Sequence, residues 1–198
     1  HENLIDMNHQ FLHRRLMGSI KTRFLALRRE PERVEVDYTF TRVGGGQSFG
    51  EKFMLGKRPK PTEERSLDLM TIATEYPYQT LKFWTAGSKD PALDLWNCYI
   101  PIDSAQRVNH TYGLMMIRRP PVPGLINLLW PFIAWFTDGI FREDRWIVEH
   151  EQKAFDRQGE DMNQEIFPVV NALRTLLIDR GVPIPEDVIR AAINGRPY

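Results

Sequence analysis

The feature that most constrains the fold is a run of alternating segments with no room between them for crossover helices. Val34-Glu-Val-Asp-Tyr-Thr-Phe-Thr-Arg42 places large side chains at every second position, the period of a half-buried strand. Gly44-Gly45-Gly46 then marks a turn or loop, and residues 47–55 are the expected partner strand. Further strands are expected at 68–75, 79–86, 94–101 and 108–118. Parallel neighbours need a connection of about a dozen residues or more. The connections between the later strands are shorter, so the sheet is expected to be antiparallel.

Pro120-Pro121-Val122-Pro123 closes the sheet region. Helices are expected after it at 124–157 (kinked near Pro131 and Gly139), at 162–180 with Gly181 as its C-cap, and at 185–194. An earlier helix is expected at 3–17. Residues 56–66, with Lys57, Arg58 and Lys60, read as a polar surface loop. This order predicts an α+β fold in which a curved antiparallel sheet wraps C-terminal helices and leaves an apolar cavity between them. At 198 residues and 42% hydrophobic content, residues 1–198 are expected to form one domain.

Composition excludes several classes of function. Twenty-six basic residues balance 26 acidic ones, so no global field draws nucleic acid or an anionic membrane. The single cysteine, Cys98, rules out an internal disulfide, a four-cysteine zinc site and an iron–sulfur cluster held by this chain alone. The longest apolar stretch, 124–136, would span only about 20 Å as a helix, short of the roughly 30 Å hydrocarbon core. A cytoplasmic location is expected. The chain opens on His1 with no initiator Met and no leader pattern, which suggests a piece of a longer polypeptide.

The chemistry concentrates in His9-Gln10-Phe11-Leu12-His13. Imidazoles at i and i+4 on a helix point the same way, a spacing at which one metal ion can take both. A Glu at position 10 would complete the zinc-protease signature; Gln10 cannot act as a general base, which argues against a zinc hydrolase. Asn3, Asp6, His9 and His13 fall on one stripe of the expected helix, and Asp6 could accept a second ring proton from a metal histidine. The third ligand must come from elsewhere. Asp144, in Phe141-Arg-Glu-Asp-Arg-Trp-Ile-Val-Glu-His150, is the candidate, with Glu143 as the alternative. Helical periodicity puts Asp144 on the face of Ile147 and Val148, and Glu143 about 100° round. Two histidines and one carboxylate make a facial triad, the arrangement for oxygen activation at non-haem Fe(II).

Asn3-Leu-Ile-Asp6-Met-Asn-His9-Gln-Phe-Leu-His13 resembles the metal helix of Rieske-type non-haem iron aromatic-ring-hydroxylating oxygenases. The later Glu143-Asp144-Arg-Trp-Ile-Val-Glu149 resembles the segment that supplies that family's aspartate ligand. The nearest flavour is the large terminal subunit of the phenylpropionate-dioxygenase-like, vanillate-demethylase-like and dicamba-type enzymes. The resemblance implies a helix-grip, START-like fold and a mononuclear Fe(II) held by His9, His13 and Asp144. It implies an oxygenase that hydroxylates or O-demethylates an aromatic substrate with O2. Asp6 would be the electron bridge from a [2Fe–2S] Rieske cluster on a neighbouring subunit of a homotrimer, fed by a reductase or ferredoxin. No Cys-x-His…Cys-x-x-His occurs in this sequence, so the Rieske domain is expected to lie outside this chain. His110 and Trp135 are implied to line the substrate pocket, and Asn3 is placed with them on the substrate side. The competing reading is a START-like module that carries an apolar ligand without a catalytic metal.

Overall fold

The computed structural model describes residues 1–42, 68–103, 105–119, 122–162 and 164–194. The chain enters through three short pieces: helix α1 (Glu2–Ile5), a 3-10 turn (His9–Phe11) and helix α2 (Arg14–Met17). Six strands follow: β1 (Ile20–Glu30), β2 (Arg33–Arg42), β3 (Leu69–Glu75), β4 (Tyr78–Trp84), β5 (Leu93–Pro101) and β6 (Asn109–Ile117). They pair antiparallel in chain order, β1 to β6. The long helix α3 (Leu125–Gln158), α4 (Pro168–Arg180) and α5 (Glu186–Asn194) complete an α+β fold. The antiparallel sheet followed by helices is the arrangement expected of a helix-grip domain.

The register divides the sheet into two faces. One carries Arg28, Glu35, Asp37, Lys82 and Asp94, joined by cross-strand ion pairs. The other carries Val34, Val36, Tyr38 and Ile72, which are buried with Ile5 and with Val169, Val170, Ala172, Leu173 and Leu176 of α4. The core thus lies where β2–β3 meet α1 and α4. Two contacts fasten the N-terminal segment there. The Tyr38 hydroxyl donates to the Ile5 carbonyl at 2.9 Å, and Arg174 forks onto both Glu2 carboxylate oxygens at 2.7 and 2.9 Å.

Several sequence expectations change here. The expected helix at 3–17 is broken, because Asp6 adopts an extended backbone (ψ 121°) and its carboxylate takes the Asn8 N–H at 2.9 Å. This side-chain turn competes with helical hydrogen bonding. Strand β1 was not expected; charged side chains and a bulge between Phe24 and Ala26 mask its alternation. Helix α4 begins at Pro168 rather than 162, with proline in the first turn, where its missing N–H costs nothing. Gly181 does cap it, its N–H reaching the Leu177 carbonyl at 2.8 Å. Helix α3 runs through Pro131 and Gly139 as one 34-residue element. The strand expected at 47–55 and the polar loop at 56–66 lie outside the described residues.

Candidate metal centre

Helix α3 turns Ile133, Phe136, Thr137, Ile140, Glu143, Asp144 and Ile147 inward, on the three- and four-residue spacing of a single face. Its sheet side is fixed by Thr137, whose hydroxyl lies 3.8 Å from the Met115 sulfur on β6. Gly139 sets how closely the N-terminal segment can approach: a Cβ there would lie 3.1 Å from Leu16 Cδ1. One turn beyond that contact, Glu143 and Asp144 meet His13.

The two carboxylates clasp His13 from opposite edges of its ring. Nδ1 lies 2.9 Å from Glu143 Oε2, and Nε2 lies 3.2 Å from Asp144 Oδ1. Their separation of about 100° round the helix is what lets adjacent residues reach both sides of one imidazole. Asn3 donates its amide to Asp144 Oδ1 at 2.8 Å. His9 stands beside His13, ring centroids 5.4 Å apart and nearly perpendicular. Its Nδ1 lies 2.6 Å from the Asp6 carbonyl oxygen. A carbonyl only accepts, so Nδ1 carries the proton and the neutral ring keeps its lone pair on Nε2.

One ligand atom from each of His9, His13 and Asp144 lies within 4.8 Å of the others, a group that could hold a metal ion. Electrostatics separates the two rings. Burial holds the His9 pKa below its ordinary value, and the Asp6 carbonyl only partly offsets this. Burial also opposes charge on His13, but its hydrogen bonds to the Asp144 and Glu143 carboxylates outweigh it and raise its pKa. Asp144 behaves in the complementary way: burial would raise its pKa, and the His13 contact brings it below the usual carboxylate range. The donor set, two imidazoles and an ionised carboxylate with satisfied outer partners, suits a first-row divalent metal.

The remaining sequence candidates fall differently. Asp6 sits at the site, but its main-chain carbonyl, not its carboxylate, holds His9. Asn3 stands at the metal centre, where its amide donates to Asp144. His110 is exposed on β6, and the register puts it on the sheet face opposite Met115, away from α3. Trp135 is 63% exposed, and nine residues at about 100° each place it on the far side of α3 from Asp144. Neither His110 nor Trp135 lies at the metal cluster. Sequence reasoning weighed Glu143 only as a substitute ligand and missed its place at the second nitrogen of His13. It also missed Gln79, Asn97 and Tyr99, polar residues at inward-facing strand positions; a break in apolar alternation was the available signal.

The chain is 24% identical over 201 residues to a 4beta-methylsterol monooxygenase of Methylococcus capsulatus (strain ATCC 33009 / NCIMB 11132 / Bath), covering 96% of this chain and 50% of that protein. The chain therefore spans about half the length of this curated relative. No solved structure matches. Residues 1–172 match the family described as the vanillate O-demethylase oxygenase C-terminal domain, a span that takes in the histidine pair, the whole sheet and the Glu143-Asp144 segment. That match makes this chain a member of the vanillate O-demethylase oxygenase C-terminal domain family.

Proposed function

We propose that this chain is the mononuclear non-haem Fe(II) domain of a Rieske-type oxygenase that hydroxylates or O-demethylates an aromatic or fused-ring substrate. The convergence of His9, His13 and Asp144 carries the reading. A carrier of apolar ligands has no use for a buried and a half-buried histidine with separate hydrogen-bond partners beside a carboxylate.

Iron in such a triad supplies dioxygen activation: with two electrons and two protons, one oxygen atom enters a C–H bond and the other leaves as water. Attack on an O-methyl carbon gives a hemiacetal, which sheds formaldehyde. The protein's own part is positional. Asp6 holds His9 in the tautomer that frees Nε2. Glu143 fixes the ring plane of His13, and Asn3 restrains the Asp144 carboxylate. Asp6 is the proposed electron bridge: its main-chain end sits on His9 while its half-buried carboxylate, beside the Asn8 N–H, stays available to a partner. That partner is a Rieske domain on a neighbouring subunit of a homotrimer, served by a reductase or ferredoxin. Sterol chemistry in the relative brings fused rings into the substrate class beside aromatic ones. Among the described residues no helix is long and apolar enough to cross a membrane.

The test is metal content. After anaerobic Fe(II) loading and desalting, elemental analysis should give about one iron per chain. His9→Ala and Asp144→Ala, each folded by circular dichroism, should retain almost none. Full occupancy in both variants would overturn the assignment.

A further inference from the structure

The inward face of the sheet holds a row of polar side chains that the metal centre does not use. Thr74, Gln79 and Asn97 lie directly opposite one another across β3, β4 and β5, and the row ends at Gly113 on β6. All three polar side chains are buried, at 0%, 0% and 3% exposure. Most of their hydrogen bonds are made: Gln79 donates to Thr74 Oγ1 at 2.8 Å and to the His1 carbonyl at 3.1 Å, and accepts from the Tyr99 hydroxyl at 3.2 Å. Among the described residues Asn97 Oδ1 has no partner. A buried amide oxygen left unpaired forfeits the hydrogen bond that water would have given it.

Its surroundings point to a ligand. A Cβ on residue 113 would lie 3.0 Å from Asn97 Oδ1 and, apart from the Trp96 carbonyl at 3.9 Å, would meet no other heavy atom within 4 Å. Glycine thus keeps a gap beside the unpaired oxygen. The adjoining row is apolar. At its α4 end Val36 and Ile72 are fully buried, but Leu81, Leu95 and Met115 are only half-buried. The β4–β6 half of the inner face is therefore incompletely covered by the chain's own helices. The site also lies within electrostatic reach of the metal centre. The Tyr99 phenol, two residues from Asn97, has its pKa pushed up to about 12, by burial first and by the Asp144 charge second.

Building on the oxygenase reading, we infer that Asn97 is the specificity determinant of this site. It accepts a hydrogen bond from a substrate hydroxyl beside Gly113, while the substrate's apolar body lies along Leu81, Leu95 and Met115. The substrate class is therefore a phenol or a fused-ring alcohol, not a bare hydrocarbon. A buried acceptor that the ligand must satisfy discriminates strongly against ligands that bring no donor.

The test reads binding to metal-free protein, so it can fail while the iron assignment stands, and the reverse. Two probe pairs are titrated by calorimetry: 2-methoxyphenol against 1,2-dimethoxybenzene, and a 3-hydroxysteroid against its 3-deoxy analogue. In at least one pair the hydroxyl compound should bind roughly 10- to 100-fold tighter, and the pair that shows it identifies the source of the hydroxyl. Asn97→Ala should abolish that preference and leave the hydroxyl-free analogue unaffected. Should Asn97→Ala not fold, Gly113→Ala keeps the amide, places a methyl group against its oxygen and should weaken the same hydroxyl compound alone. Equal affinity within both pairs, no binding of either hydroxyl compound, or variants that weaken both members of a pair alike would overturn the inference.

Discussion

Residues 1–17 change backbone type repeatedly, from α-helix to extended to 3-10 to α-helix, and position His9 and His13. Helix α3 runs unbroken through 34 residues and positions Glu143 and Asp144. The irregular segment works through particular hydrogen bonds: the Asp6 carbonyl on His9, the Asp6 carboxylate on the Asn8 N–H, the Tyr38 hydroxyl on the Ile5 carbonyl. The regular one works through angular spacing. One half of the site is therefore fixed by local backbone chemistry and the other by a rigid rod, and the two should fail differently.

Removing a ring or ligand carboxylate is the harshest way to break the comparison. His13→Ala should lower Fe(II) affinity by well over the 10- to 100-fold range that outer partners command. It also leaves Glu143 and Asp144 facing each other without the ring between them. Competition titration against a calibrated chelator measures this. An affinity within tenfold of the unmodified protein would separate His13 from the metal site.

The outer partners sharpen it next. Glu143→Gln keeps the side chain's shape but replaces the carboxylate on His13 Nδ1 with a neutral amide, and should cost about 10- to 100-fold in Fe(II) affinity. Asp6→Asn should cost less than about threefold, because the group on His9 is a main-chain carbonyl that the substitution leaves in place. With a Rieske partner, Asp6→Asn should instead abolish single-turnover electron transfer. Equal losses of affinity from the two substitutions would contradict the distinction drawn between the two histidines.

The rings also differ in how pH acts on the metal-free protein. His13 has its pKa raised above 6.5 in the folded state, so its contribution to stability is full below 6.5 and disappears as pH rises through the folded value. His9 has its pKa lowered by burial, so its contribution is present above 6.5 and is lost as the solution is acidified. The two windows adjoin at 6.5, so the unmodified protein should be most stable near that pH and lose stability on either side of it. Urea denaturation should uncover each slope alone: His13→Gln loses stability on acidification, and His9→Gln loses it on raising the pH. Parallel slopes in the two variants would show that the rings do not differ as described.

What the sequence made legible follows the same division. The α3 half was readable because a regular helix converts spacing directly into direction; Asp144 and Ile147 share a face in the chain as they do on paper. The same arithmetic, applied to Trp135, would have placed it on the opposite side of the helix. The N-terminal half was readable in composition but not in conformation. Asn3, Asp6, His9 and His13 do gather near one another, yet through an Asx turn and a 3-10 step rather than along a helical stripe. The face that His110 takes was not legible, because parity on a strand depends on a register that only the pairing of β5 with β6 fixes. Strand β1 was hidden by its charged residues, among them Arg28, whose partners Glu35 and Asp37 lie on the next strand.

Gly139 is where the two halves touch, and the smallest substitution there tests the contact. Gly139→Ala lies inside α3, where alanine gains about 0.5–1 kcal/mol of helix stability over glycine. The added methyl comes 3.1 Å from Leu16 Cδ1, the far end of a flexible side chain that can rotate away. Propensity should win, and the variant should be more stable by up to about 1 kcal/mol, with Fe(II) affinity changed less than about threefold. Gly139→Val adds β-branched bulk at the same contact, which a rotamer change of Leu16 cannot absorb. It should force α2 away from α3 and draw His13 off its two carboxylates. Urea melts and metal titrations on the pair separate the outcomes. If valine is tolerated as well as alanine, the close approach of α2 to α3 is not what holds His13 between Glu143 and Asp144.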